Sequence, residues 1–371
     1  MEATKKKVCM FFNDLALYRK AIYKMLDEEY DCDWYIEDID TGVKEFDESE
    51  LKKVERLPVK SLGPFYRVDG LSKILKKNYE IYFMLGATRN LSLITFCLKK
   101  IIFYPQKRVY FWTHGYYGKE SWIEKTLWKR PIMKFADAIF TYGDYARKLM
   151  IDDGFDEKRI YPIHNSLDYE HQLNLRKEMA ESDIYSSHFN NKNPVLIFIG
   201  RLTEIKRLDL FLEAVGVLNN QGESYNVIFV GDGSEKQNLE SLTYKLGIQE
   251  QVWFYGACYD EKTNAELIYN ADLCIAPGNI GLTSIHALMF GCPAISHDRW
   301  DLQMPEFEAI KPSVTGDFFK YGSVDDLALK IHRWFENNKD RKEEVRNACY
   351  EEIDTNWNPY YQMNIISKNL K

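Results

Sequence analysis

No stretch of the chain approaches the ~20 consecutive apolar residues that a membrane-spanning helix needs. The amino terminus, MEATKKKVCMFFND, has neither the apolar run nor the small-residue cleavage site of a secretory leader. We therefore expect a cytoplasmic protein. Paired cysteines are lacking too. Cys9, Cys32, Cys97, Cys258, Cys274, Cys292 and Cys349 never fall at CxxC spacing, and their odd number excludes a complete disulfide framework as well as a zinc pattern. Most lie in apolar runs such as VCMFF and ADLCIAP, where a thiol acts as a small core residue in a reducing compartment. Positive charge is not in excess: the net charge of −7 argues against a nucleic-acid partner. The first apolar run is followed by NDLALYR and not by G-x-G-x-x-G, which disfavours an NAD-dependent Rossmann enzyme. No Asp-x-Asp metal motif sits in a suitable turn, so neither a metal nor a cofactor is expected.

What is present is alternation. The 371 residues suggest two domains, and 45% hydrophobic residues can supply two cores. In the first half, short buried runs (KVCMFFND, CDWYIED, YEIYFML, KRVYFWTH, DAIFTYG) alternate with helical patterns (ALYRKAIYKMLDEEY, LSLITFCLKKIIFY, WIEKTLWKRPIMKFA, YARKLMIDDG). The second half repeats this through PVLIFIG, YNVIFVGDG, QVWFYG, DLCIAPG and PAISH. Strands alternating with helices of this length make parallel α/β sheets. The fold expected is thus α/β, with two Rossmann-like doubly wound domains facing across a cleft. Residues 1–170 form the first domain, 171–193 a polar linker with one helical turn or more at HQLNLRKEMA, and 194–354 the second domain. A segment from about 355 to 371 is expected to pack back on the first.

Chemistry concentrates in the second half. In IFIGRLTEIKRLDLF, Gly200 lets the chain turn at a strand's carboxyl end. Arg201 and Lys206 then place two cations before a helix, a setting suited to a diphosphate, although charged loop residues are also common on any surface. VGDGSEK adds Gly231 and Gly233. In GNIGLTSIHALMFGCPAIS, Gly278, Asn279, Ile280 and Gly281 precede a helix beginning near Leu282. Their backbone N–H groups form an anion nest, to which Thr283 adds a hydroxyl.

The order GR…K, GDG, FYG, AD…PG, GL…ALMFGCPAIS resembles glycosyltransferase family 4, retaining enzymes of the GT-B fold, over about 140 residues; THG, ADAIFTYG and IHNSLD match its first domain more loosely. The resemblance implies transfer of a sugar from a nucleotide-sugar co-substrate, a UDP- or GDP-sugar, to a glycan or lipid-linked acceptor, as in cell-envelope or capsular polysaccharide synthesis. It implies Arg201 and Lys206 on the donor diphosphate and His114 of WTHG facing the donor sugar. Asn279, Ile280, Gly281, Leu282 and Thr283 would hold the donor, with Gly200, Gly231, Gly256 and Gly278 at the strand ends around it. The family's E-x7-E pair is absent. Gly278 replaces the first Glu and His286 the second, so the resemblance puts His286 at the nucleotide ribose. A catalytically silent protein that binds a sugar nucleotide or a partner protein is the competing reading.

One stretch breaks the overall acidity. From Arg89 to Lys134 ten Lys or Arg face two Glu, a balance of +8. With Trp122, Trp128, Lys125, Lys129 and Arg130 it mixes aromatic and basic character. We expect either a solvated face or an anionic membrane surface held mainly by electrostatics.

Overall fold

Parallel strands buried on both faces read as unbroken apolar runs, and KVCMFF and VLIFI behave in this way. The computed structural model describes residues 5–371. The chain divides into two units, one running through Asp168 and including Asn358–Lys371, the other Tyr169–Trp357.

The first unit is built on eight strands: β1 (Lys7–Phe12), β2 (Asp31–Asp38), β3 (Val54–Leu62), β4 (Phe65–Val68), β5 (Ile81–Leu85), β6 (Arg108–Thr113), β7 (Ala138–Thr141) and β8 (Ile160–Pro162). Their order is β4-β3-β2-β1-β5-β6-β7-β8. All neighbours are parallel except the β3–β4 hairpin. Each sheet face carries a core. One joins Tyr23 and Leu26 of helix Lys20–Glu29 to Ile366 and Leu370 at the chain's carboxyl end. The other joins Phe96 and Cys97 of helix Leu91–Phe103 to Ile132 and Met133.

The basic stretch is largely spent inside this unit. Lys100 and Arg108 pair with Asp137, each at 3.1 Å, and Lys125 and Arg130 pair with Asp153 at 3.2 and 3.6 Å. Lys129 meets Glu120 at 2.7 Å. Lys107 is buried and donates to the carbonyls of Leu75 and Lys77. Trp128 turns inward, its Nε1 donating to the Thr88 carbonyl at 2.9 Å and its ring packing on Phe65. The local balance of +8 is therefore not a free field, because Asp137 and Asp153, just beyond the counted residues, neutralise much of it.

In the second unit β9 (Val195–Ile199), β10 (Asn226–Val230), β11 (Val252–Gly256), β12 (Leu273–Ala276), β13 (Ala294–His297) and β14 (Gly316–Phe319) form a parallel sheet ordered β11-β10-β9-β12-β13-β14. The order reverses between β9 and β12, and open α/β sheets bind ligands outside the carboxyl ends of strands at such a switch. In the stretch 171–193, read from sequence as a linker, the helix expected at HQLNLRKEMA is present as Tyr169–Glu178, and a second helix, Ile184–Phe189, follows it. Both helices belong to this unit. Tyr185 is buried and its hydroxyl donates to the Leu267 carbonyl at 2.6 Å, while Gln172 reaches Glu261 at 2.7 Å. A single buried anchor, Tyr185, suffices for the second helix, which its polar sequence did not suggest.

Candidate functional site

The loops after β9, β10 and β12 lie on one another so closely that only glycine fits. A Cβ on Gly231 would stand 1.9 Å from the Gly200 carbonyl oxygen, and one on Gly233 would stand 2.2 Å from that of Leu202. Gly200 and Gly231 have φ of +144° and +149°, which L side chains rarely adopt. Backbone bonds then tie the layers: the Gly200 N–H donates to Val230, Leu202 to Asp232, and Gly231 to Gly256. These glycines are the hinges that let three strand ends converge.

Gly278 has a similar reason. A Cβ there would meet the Ile205 carbonyl oxygen at 2.1 Å, and the Gly278 N–H donates to the Lys206 carbonyl at 2.9 Å. The Glu204–Lys206 turn thus occupies the place a side chain at 278 would need. The absent carboxylate is a consequence of packing, and a glutamate there would force the backbone apart.

Arg201 is exposed and makes no ion pair among the described residues. Lys206 is half-buried, and its ammonium donates to the Asn279 carbonyl. Burial, then the nearby Arg201 charge, push the Lys206 amine down to about 8, against a weaker upward pull from Glu306. Two neighbouring cations, neither of them ion-paired among the described residues, make a site short of negative charge. The next residue, Arg207, closes the turn in the left-handed region at φ +48°, a conformation uncommon outside glycine.

The turn before helix Thr283–Met289 is narrower as an anion nest than the sequence suggests. The Asn279 N–H is used by the Ile205 carbonyl, and that of Ile280 by Gln303 Oε1 at 3.0 Å. The Thr283 hydroxyl donates to the Ile199 carbonyl at 2.9 Å, pinning the turn to the end of β9 instead of facing outward. The amides of Gly281, at φ +53°, and Leu282 make no bond within the described chain. Gln303 is buried and also donates to Ser296 Oγ at 2.7 Å, so it fixes this turn to β13. Nothing in its local sequence marks it.

His286 lies one turn further along. Its Nε2 stands 2.9 Å from Glu261 Oε1. Glu261 opens helix Glu261–Asn270 and also accepts from Gln172. Burial pulls the Glu261 carboxyl upward, but the bonds from His286 and Gln172 prevail and hold it below the usual carboxylate range. A carboxylate supplied by another element therefore stands beside this histidine.

In the first unit His114 directly follows β6. Its ring lies 4.4 Å from that of Tyr142 and 5.6 Å from that of Tyr117, and its Nδ1 is shut from solvent without a partner. Burial first, then the charges of Arg19 and Lys129, push its pKa down to about 3, so the ring is neutral at physiological pH. It borders a cavity of about 520 Å³ shared with Gly86, Thr88, Arg89, Lys119 and Lys129.

Residues 180–351 match the family model described as glycosyl transferases group 1. Glycogen synthase 2 of Nitrosococcus oceani is 31% identical over 205 residues, 53% of this chain and 40% of that protein. The Campylobacter jejuni enzyme named GalNAc-alpha-(1->4)-GalNAc-alpha-(1->3)-diNAcBac-PP-undecaprenol alpha-1,4-N-acetyl-D-galactosaminyltransferase is 26% identical over 242 residues, 62% of this chain and 60% of that one. The chain spans about half the length of the curated relatives it matches. Anabaena Alr3699/HepE, solved in complex with UDP, superposes with a TM-score of 0.74 at 16% identity, covering 98% of this chain and 99% of that one. The fold is that of GT-B glycosyltransferases, and the residues matched by the family model lie mostly in the second unit.

Proposed function

We propose that the chain transfers a sugar from a UDP- or GDP-sugar to a glycan or lipid-linked acceptor, with retention and without a metal, in cell-envelope or capsular polysaccharide synthesis. The observation that carries this is the convergence, at the β9/β12 switch, of exposed Arg201, the half-buried Lys206 and the open amides of Gly281 and Leu282. Such a set stabilises the charge that grows on a leaving diphosphate and can take the part a divalent metal plays elsewhere. The anomeric carbon–phosphate oxygen bond breaks while the acceptor oxygen bonds to the same face of that carbon. The leaving phosphate oxygen receives the acceptor proton. The Campylobacter relative's name describes an undecaprenol-linked acceptor, and HepE was solved with UDP; both favour this substrate class.

A thermal-shift panel of nucleotide sugars tests the donor site. A UDP- or GDP-sugar should raise the melting temperature of the wild type and fail to do so in Arg201→Ala. No shift with any nucleotide, or an equal shift in the variant, would count against it. The closed space at Gly278 favours one second reading, a silent donor-binding protein, which would bind tightly and neither transfer nor hydrolyse the sugar.

A further inference from the structure

Once the paired cations are set aside, Arg89, Lys99, Lys119 and Lys134 remain exposed, without an acidic partner among the described residues. The same stretch of chain is rich in exposed apolar side chains. Of the 18 large hydrophobic side chains exposed among the described residues, seven fall between Leu98 and Leu127. They occupy two helices. Leu98, Ile101, Ile102 and Phe103 lie on the outer side of helix Leu91–Phe103, while Trp122, Ile123 and Leu127 lie on the helix after β6. That second helix is wound as a π-helix over Glu124–Lys129, where the Arg130 N–H donates to the Lys125 carbonyl five residues back. With i→i+5 winding, residues about five apart share a face, so Leu127 returns under Trp122 as well as Ile123. Trp122 is 71% exposed, Ile123 64% and Leu127 62%.

The two helices cover one side of the sheet. They are successive crossovers between neighbouring parallel strands, β5 to β6 and β6 to β7, and such crossovers share a hand. Both feed the same core, through Phe96 and Cys97 from one and Ile132 and Met133 from the other. Their outer sides therefore look the same way.

We infer that this side of the first unit seats on an anionic lipid bilayer, with Trp122, Ile123 and Leu127 inserting and the four unpaired cations meeting headgroups. The charge pattern selects lipid. A chain of net −7 exposes unpaired cations and large apolar side chains on this one stretch, which complements an anionic interface. Tryptophan is the side chain most at home at that depth. The cavity beside His114 is walled by Lys119 and Glu124, each within three residues of Trp122. A substrate anchored in the bilayer would thus arrive next to it; only this consequence rests on the proposed transferase function. Apolar insertion, and not the electrostatics suggested by composition, should dominate.

Flotation with vesicles tests this in the absence of nucleotide, so the result is independent of the donor site. The full chain should bind phosphatidylcholine vesicles containing about a third phosphatidylglycerol, and keep most of that binding when salt is raised from about 0.1 to 1 M, where the Debye length falls from about 10 to 3 Å. Trp122→Ser with Leu127→Ser should weaken binding by at least about tenfold. Because both side chains are already exposed, the melting temperature should be unchanged. Lys99→Ser with Lys119→Ser should lose only the preference for anionic over neutral vesicles. Wild-type binding by the Trp122/Leu127 variant would overturn the inference. So would complete release at high salt, absence of binding at low salt, or a dimer of the wild type that the variant converts to monomer.

Discussion

Lys206 shows how a single site residue can report on the whole assignment. An amine pushed down to about 8 is protonated below that pH and neutral above it. If it holds a diphosphate, the affinity for UDP should fall as pH rises through about 8, by at most about tenfold per unit, until the higher pKa of the bound state is passed. Lys206→Arg should remove the dependence, since guanidinium does not titrate in this range. A titration series from about pH 7 to 9.5 reads this directly; a flat profile in the wild type would free Lys206 from the phosphate role. His114, held neutral down to about 3, should contribute no pH dependence of its own.

His286 is the second such residue. From sequence alone, a glutamate at 286 would restore the family pattern. With Glu261 Oε1 already 2.9 Å from the imidazole, His286→Glu would instead set two carboxylates against each other. We predict a loss of about 1–3 kcal/mol in stability and weaker UDP binding. Adding Glu261→Gln should recover much of both. Melting curves of the single and double variants decide it: a stable His286→Glu protein would contradict the pairing. Glu261 was not legible in the sequence, because a carboxylate in the first turn of a helix is ordinary dipole chemistry. Only the fold brings it to the histidine.

At the scale of elements, apolar runs alternating with helical patterns made most strands legible, including the glycine turns after β9, β10 and β11. The β3–β4 hairpin was missed. Val54–Leu62 contains Pro58 and alternates with charge, and β4 lies at the sheet's edge, where one side faces solvent and no long apolar run is required. That hairpin matters to the first unit. Tyr66 of β4 donates to Glu37 at the end of β2, and so does Asn90, which caps helix Leu91–Phe103. Burial pushes the Glu37 carboxyl up to about 7 although both donors oppose it. Between its ordinary value near 4.5 and about 7, the unfolded chain is ionised while the folded one holds its proton, so stability falls as pH rises through this window. Glu37→Gln should be more stable than wild type at pH 8, by up to about 3 kcal/mol, and equal to it near pH 4.5. Denaturant melts at the two pH values check this, and a gain of equal size at both would refute the burial account.

For the whole molecule, each unit places its candidate chemistry at the carboxyl ends of parallel strands, with different means. The first supplies a neutral histidine and a cavity; the second supplies unneutralised cations and free amides. Composition misled on electrostatics because charges pair across sequence distance, as Asp137 and Asp153 do with the basic stretch. It hid helix Ile184–Phe189, because a polar helix can be held by a single buried contact such as Tyr185.

The central claim is that Arg201 and Lys206 stabilise a departing nucleoside diphosphate without a metal. The measurement that tests it most directly is release of UDP or GDP from the matching sugar nucleotide, with excess EDTA, in wild type and Arg201→Ala. Release by the wild type should be undiminished, and the variant should lose about 1.5–3 kcal/mol of transition-state stabilisation, roughly ten- to 150-fold in rate. Release abolished by EDTA and restored by Mg²⁺, or an Arg201→Ala rate equal to wild type, would contradict it.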